Sequence, residues 1–257
     1  MLPNQLTDIN GRILMPRWFY QLAVPQYFYA ITTGWVPWLL AISSLLLIIG
    51  LSWGLFIAPT DAQQGEAFRI IYVHVPAAFM SLGVYVFIAV NAFIFWVWRI
   101  KTADILAASS APIGAWFTGI TLLTGMLWGK PMWGAWWLWD PRLTFELILL
   151  FCYFGYIALR NAIDDPNRAA QVSGLWIMIG VINVPIIHYS VEWWNSIHQG
   201  SSINIFSKTT IYSTMYYPLL LMLAGFSFYF MTVVLMRART LCLQREQSRN
   251  WVRQLWK

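Results

Sequence analysis

Apolar residues in this chain arrive in six long runs, at roughly 35–57, 73–97, 107–128, 143–159, 172–188 and 213–236. A helix needs about 20 mostly apolar residues to cross a bilayer. The fourth and fifth runs fall short of that and reach it only with their apolar flanks. The pattern predicts an all-α, polytopic integral membrane protein with six transmembrane helices over 35–236. Residues 1–34 form an N-terminal segment before the first span, and 237–257 a basic tail after the last. The stretch 12–34 is aromatic and interrupted by prolines, and it reads as interfacial. Trp18, Tyr20, Tyr27 and Tyr29 there suit the headgroup zone.

Composition sharpens the picture. Hydrophobic residues make up 59% of the 257 and charged ones 10%, against about 25% charged in an average soluble domain. The net charge of +6 does not point to nucleic acid, because the cations sit between apolar runs and in the tail. Six spans put the N-terminus, the loops near 98–106 and 160–171, and the C-terminus on one side. Twelve cations lie there: Arg12, Arg17, Arg99, Lys101, Arg160, Arg168, Arg237, Arg239, Arg245, Arg249, Arg253 and Lys257. The other side has four, Arg69, Lys130, Arg142 and Lys208. The excess of Lys and Arg predicts both termini in the cytoplasm, with the tail against anionic lipid. Pro16, Arg17 and Pro25 interrupt the first apolar stretch, so uncleaved spans are expected to drive insertion. Cys152 and Cys242 form no C-x-x-C pair, and there is no C-x-x-C-H for covalent haem attachment.

Topological parity then gathers the candidate chemistry. The segments 58–73, 129–142 and 189–212 are the odd-numbered loops and face one compartment, whichever way the protein is oriented. His74 opens the second span, His188 closes the fifth and His198 lies in the last of these loops, so all three histidines fall on or near one face. The middle loop carries Trp133, Trp136, Trp137 and Trp139 within seven residues, followed by Asp140 and flanked by Trp128 and Met132. An interfacial aromatic belt explains scattered residues such as Trp35 and Trp53 but not this density. The third loop adds Trp193 and Trp194. So broad and stiff a π surface suits a large flat ligand. Haem needs such a bed, axial side chains such as neutral histidine, and cations for its propionates. Arg69 and Arg142 are the cations next to His74 and the tryptophan loop, and guanidinium forks match carboxylates. Glu146, four residues after Arg142, is expected to pair with it on one helical face, although an ionisable group in a span is also a functional candidate.

The residues Trp133-Gly-Ala-Trp-Trp-Leu-Trp-Asp140 match the W-G-x-x-W-x-W-D signature of the haem-handling WWD proteins. Together with Ile71-Tyr-Val-His-Val-Pro-Ala-Ala78 and Pro185-Ile-Ile-His-Tyr-Ser-Val-Glu-Trp-Trp-Asn195, the whole chain resembles the cytochrome c maturation protein C family, the haem exporter protein C of bacterial inner membranes. The resemblance implies non-covalent haem b held at the periplasmic face, with His74 and His188 as axial ligands to the iron. Trp133, Trp136, Trp137, Trp139 and Asp140 would cradle the exposed haem edge. His198 falls in the family-like stretch Ile197-His-Gln-Gly200 without an axial role. The resemblance further implies delivery to a periplasmic haem chaperone. It also implies association with an ATP-binding cassette ATPase, its membrane subunits and a small single-span subunit.

The chain has no G-x-x-x-x-G-K-[ST] loop, so any ATP-driven step belongs to a partner. The expected role is that of a binding scaffold, not an enzyme. Two rivals remain open. A membrane b-type haem electron carrier would place its ligands deeper in the spans. A transporter moving haem through its own bundle would show broken helices or ionisable residues at the midplane.

Overall fold

The structure is a computed structural model and describes residues 21, 23–198 and 211–255. Arg12, Arg17, Trp18 and Tyr20 of the anticipated interfacial segment lie outside them, as do Lys208 and Lys257. Regular structure among the described residues is helical. The helices are α1 (Pro25–Ser52), α2 (Ile71–Trp98), α3 (Lys101–Trp133), α4 (Pro141–Ala162), α5 (Pro166–Gly180), α6 (Asn183–Trp193), α7 (Ser213–Arg245) and α8 (Asn250–Gln254). They supply six segments long and apolar enough to cross a membrane: Pro25–Ile57, Glu66–Trp98, Lys101–Trp133, Pro141–Ala162, Pro166–Trp193 and Ser213–Arg245. Each contains one of the six runs.

Two boundaries differ from expectation. The first helix begins at Pro25 rather than near residue 35, because proline is at home at a helix start, where its missing N–H costs nothing. Tyr27 and Tyr29 are therefore helical. The fifth span is not short but broken, α5 ending at Gly180 and α6 resuming at Asn183. Pro185 accounts for the break: it has no N–H for the carbonyl four residues back, and its ring collides there. The Asn183 side chain closes the gap by donating to the Phe145 carbonyl on α4 at 2.9 Å.

Small residues let the helices approach and seat large buried side chains, while many other large apolar residues face outward, as expected when lipid is as apolar as the helices. Ala107, Ala111 and Gly114 of α3 lie in the interior against Tyr153 and Tyr156 of α4, with Val84, Tyr85 and Ile88 of α2 behind them. A Cβ on Gly114 would overlap the Tyr153 ring. Helix α1 meets α7 in the same way: the Ser43 hydroxyl donates to the Gly225 carbonyl at 3.2 Å, and a Cβ on Gly225 would press into Leu47.

Each end of the bundle is tied by polar contacts. At one end, Asp104 on α3 receives Arg160 of α4 at 2.5 Å and Arg245 of α7 at 2.7 Å. Lys101 reaches Glu246 at 3.1 Å. At the opposite end, the indole N–H of Trp128 donates to Gln64 of the first odd-numbered loop at 2.9 Å. Asp140 of the second bonds to Ser196 and Ile197 of the third. The three odd-numbered loops therefore share one end, as parity requires.

Candidate functional site

At the odd-loop end, the first loop is folded by Asp61, whose carboxylate accepts the N–H groups of Gln63 and Gln64 at 2.9 and 2.8 Å. Gly65 follows with φ +58°, a left-handed turn that favours glycine. A 3₁₀ turn, Glu66–Ile70, then leads directly into α2. Arg69 on that turn donates to the carbonyls of Gly54 and Ala58 at 2.8 and 2.9 Å and pairs with Glu66 at 2.5 Å. It straps the π-helical end of the first span, Trp53–Ile57, to the start of the second.

His74 lies one turn into α2, facing α3. Its Nδ1 is 2.9 Å from the Thr124 hydroxyl. That hydroxyl has one hydrogen and gives it to the Ile120 carbonyl at 2.7 Å, with the Thr121 carbonyl at 3.2 Å. With the hydroxyl hydrogen on that carbonyl, Thr124 accepts from His74, the arrangement that puts the imidazole proton on Nδ1 and presents Nε2. A Cβ on Gly125 would stand 3.4 Å from the imidazole, in ordinary van der Waals contact.

The ring beside His74 belongs to His198. The two imidazoles are 6.5 Å apart between centroids, with their planes 27° from parallel. Trp128 and Trp133 meet at 4.9 Å, edge to face, and both contact His198, at 6.1 and 6.3 Å. His74, His198 and Trp128 line a cavity of about 60 Å³, together with Gln64, Phe68 and Val75. Metal–imidazole bonds are about 2 Å long, so two rings holding one metal from opposite sides sit with centroids roughly 6 Å apart. The observed separation of 6.5 Å is close to that spacing.

His188 is positioned differently. Asn183, Ile187 and Ser190 form the buried stripe of α6, and His188 is turned about 100° from Ile187. It is exposed, and its ring lies on Tyr189 at 4.8 Å. Tyr189 in turn stacks on Trp193 at 5.5 Å. The structure thus brings His74 together with His198, while His188 shares no ring contact with either.

The tryptophan loop divides in two. Trp133 ends α3 and turns inward, and Gly134 caps the helix with φ +75° and an N–H bond to Lys130 at 3.1 Å. Trp136 and Trp139 project outward, 53% and 77% exposed. Lys130 stands over the Trp136 ring at 6.0 Å. Trp137 is half-buried against Trp139 at 5.5 Å, and its indole N–H has no hydrogen-bond partner among the described residues.

Asp140 is buried and does two jobs. Oδ1 accepts the Arg142 N–H at 2.9 Å and caps α4. Oδ2 accepts the Ser196 hydroxyl at 2.7 Å and the Ile197 N–H at 3.0 Å.

The Arg142 guanidinium makes no hydrogen bond or ion pair among the described residues, so the anticipated pairing with Glu146 is not formed. Glu146 is buried and accepts the Ser81 hydroxyl of α2 at 2.7 Å. The Ser81 carbonyl receives the Tyr153 hydroxyl at 2.7 Å. Arg142 lies four residues nearer the start of α4, and its charge reaches Glu146 without a direct bond.

Sequence reasoning missed Thr124, Gln64 and Ser196. Thr124 and Trp128, four residues apart on α3, share the face toward His74; that spacing was the available signal. Gln64 and Ser196 carried none, since their partners are distant in sequence.

A family model described as Heme exporter protein C matches residues 18–253. A Heme exporter protein C of Escherichia coli (strain K12) is 50% identical over 236 residues, 92% of this chain and 95% of the relative. The protein of that name from Haemophilus influenzae is 45% identical over 241 residues, 94% and 98% of the two chains. That from Rhodobacter capsulatus is 39% identical over 222 residues, 86% and 92%. With its six apolar spans, the chain belongs to the Heme exporter protein C family and is a multi-pass protein of the bacterial inner membrane.

Proposed function

We propose that the protein holds non-covalent haem b at the odd-loop end of its bundle, gripped by His74 and His198, for delivery in c-type cytochrome maturation. The observation that carries this reading is the pair of imidazoles 6.5 Å apart, walled by Trp128 and Trp133. Family membership supplies the cargo, since the relatives are named for haem export. His198 replaces His188 as the second axial ligand, because His188 faces outward on α6.

The donor set fits the group. Thr124 favours the His74 tautomer that presents Nε2, as hydrogen-bond partners behind ligating histidines do. Two donors that make no hydrogen bond among the described residues, the Trp137 indole N–H and the Arg142 guanidinium, suit propionate oxygens. Arg69 is a weaker candidate for that role, being engaged by two carbonyls and Glu66. The cavity of about 60 Å³ cannot enclose a macrocycle, so bound haem parts its walls or projects beyond them. An open edge is what a donor protein needs. Exposed Trp136 and Trp139 then form the docking surface for a periplasmic haem chaperone. Two axial histidines leave iron no vacant position, which favours carriage over oxygen chemistry; the chain acts as a scaffold. The 12-to-4 split of cations orients this end to the periplasm. An ATP-binding cassette ATPase with its membrane subunits, and a small single-span subunit, are the proposed partners.

One observation favours a second reading, passage of haem through the bundle: the fifth span breaks at Gly180–Asn183, near buried Glu146. The break is, however, filled by side chains. Asn183 bonds across it, and a Cβ on Gly180 would overlap the Tyr85 hydroxyl.

Absorption spectra of the purified protein with haem test the assignment. His74→Ala and His198→Ala are each expected to lose the low-spin, six-coordinate spectrum, and His188→Ala to keep it. Loss in His188→Ala with retention in His198→Ala would overturn the choice of ligand. Retention in all three would sink the two-histidine grip.

A further inference from the structure

His198 sits on a loop, yet its ring is held beside a histidine on a rigid helix. The contacts that accomplish this converge on Asp140. Oδ2 takes the Ser196 hydroxyl at 2.7 Å and the Ile197 N–H at 3.0 Å. The same Ser196 oxygen accepts the His198 N–H at 3.0 Å. Three consecutive residues ending in His198 are thus fastened, directly or through one hydroxyl, to a single carboxylate oxygen. The other oxygen is spent on the α4 cap, accepting the Arg142 N–H at 2.9 Å. The carboxylate is only 5% exposed, so water competes poorly for these bonds. Charge-assisted hydrogen bonds of this kind are roughly twice as strong as neutral ones.

We infer that Asp140 is a positioning residue for the second histidine, a latch that fixes the Ser196–His198 segment against the start of α4 so that the His198 imidazole faces His74. This rests on the two-histidine reading above. It differs from the cradle role expected of Asp140 from the sequence, because both carboxylate oxygens are already engaged by protein donors. The latch explains why an acidic residue closes a run of tryptophans. A carboxylate can accept at both oxygens at once, whereas an amide accepts at only one.

Asp140→Asn separates the two tasks. Asparagine caps a helix as well as aspartate does, so α4 keeps its start, but the amide NH₂ now confronts the Ile197 N–H. The expected result is haem still bound through His74, with the spectrum shifted from low-spin six-coordinate to high-spin five-coordinate. Added free imidazole should restore the low-spin form by filling the position that His198 vacates. Ser196→Ala removes one strand of the latch and should give the same shift in a smaller fraction of molecules. His198→Ala is measured in parallel.

If His198→Ala keeps the low-spin spectrum, the two-histidine reading fails, and the latch with it. If His198→Ala loses it while Asp140→Asn and Ser196→Ala both keep it, the latch alone is overturned. A loss in Asp140→Asn that imidazole cannot rescue, with Ser196→Ala unchanged, also overturns it, because the residue would then be supporting the whole site. Should Asp140→Asn fail to accumulate in the membrane, an unshifted spectrum in Ser196→Ala overturns the latch and a partial, imidazole-rescued shift supports it.

Discussion

The two ends of the bundle differ in how their charged groups are matched, although Ser109 Oγ and Arg239 Nε at the even-loop end also lack hydrogen-bond partners among the described residues. At the even-loop end, Asp104 is matched by Arg160 and Arg245, and Glu246 by Lys101 and Arg249. At the odd-loop end, the Arg142 guanidinium and the Trp137 indole N–H make no hydrogen bond among the described residues, and two histidines lie side by side at a small cavity. Buried groups that neutralise each other hold a fold together, and spare donors beside a gap invite a ligand. Polar residues in a membrane bundle sort by the use already made of them. What matters is whether a partner already uses them, more than how deep they lie.

Breaking the closed end should give the largest effect on stability. Asp104→Ala leaves two arginines without their shared counter-charge, and removing one member of a buried ion pair costs about 3–5 kcal/mol. A large fall in thermal midpoint in detergent is expected, with the haem spectrum of the surviving folded protein unaltered. A changed spectrum would mean the two ends are not independent.

Thr124→Val should do the reverse. It is close in shape and removes only the oxygen that fixes the His74 tautomer. Loss of such outer-shell partners typically weakens metal binding by about 10–100-fold. Haem titration should register a drop of that order, while the melting midpoint barely moves. Equal haem affinity would show that Nδ1 needs no acceptor.

The smallest effect on the protein itself belongs to Trp139→Ala. At 77% exposure it should shift stability within about 0.5 kcal/mol and leave the spectrum intact, yet slow transfer to the proposed haem chaperone. Normal transfer in a Trp136→Ala, Trp139→Ala double variant would reduce these rings to interface anchors.

Much of the fold was legible because hydropathy counts spans directly, and span parity gathers the loops without any contact being known. The short fifth run concealed a break, since apolar counting does not register that Pro185 denies a hydrogen bond to a carbonyl four residues earlier. The site was legible in part. His74 and the tryptophan loop stand out by type and place. The choice between His188 and His198 did not, because it depends on a contact between Asp140 and Ser196, 56 residues apart, and on which side of α6 faces inward. Glu146 was misjudged for the same reason. A partner four residues away is easily anticipated, whereas the one it takes, Ser81, is 65 residues distant.

The tryptophan loop is anchored at both ends, at Gly134 by the helix cap and at Asp140 by its two-sided carboxylate. A segment so pinned behaves as a ruler. Its length sets which indoles turn in and which turn out, so one inserted residue between the anchors would scramble every ring at once. Exchanging an outward ring alters a single contact. The information in this stretch therefore resides as much in its spacing as in its aromatic content.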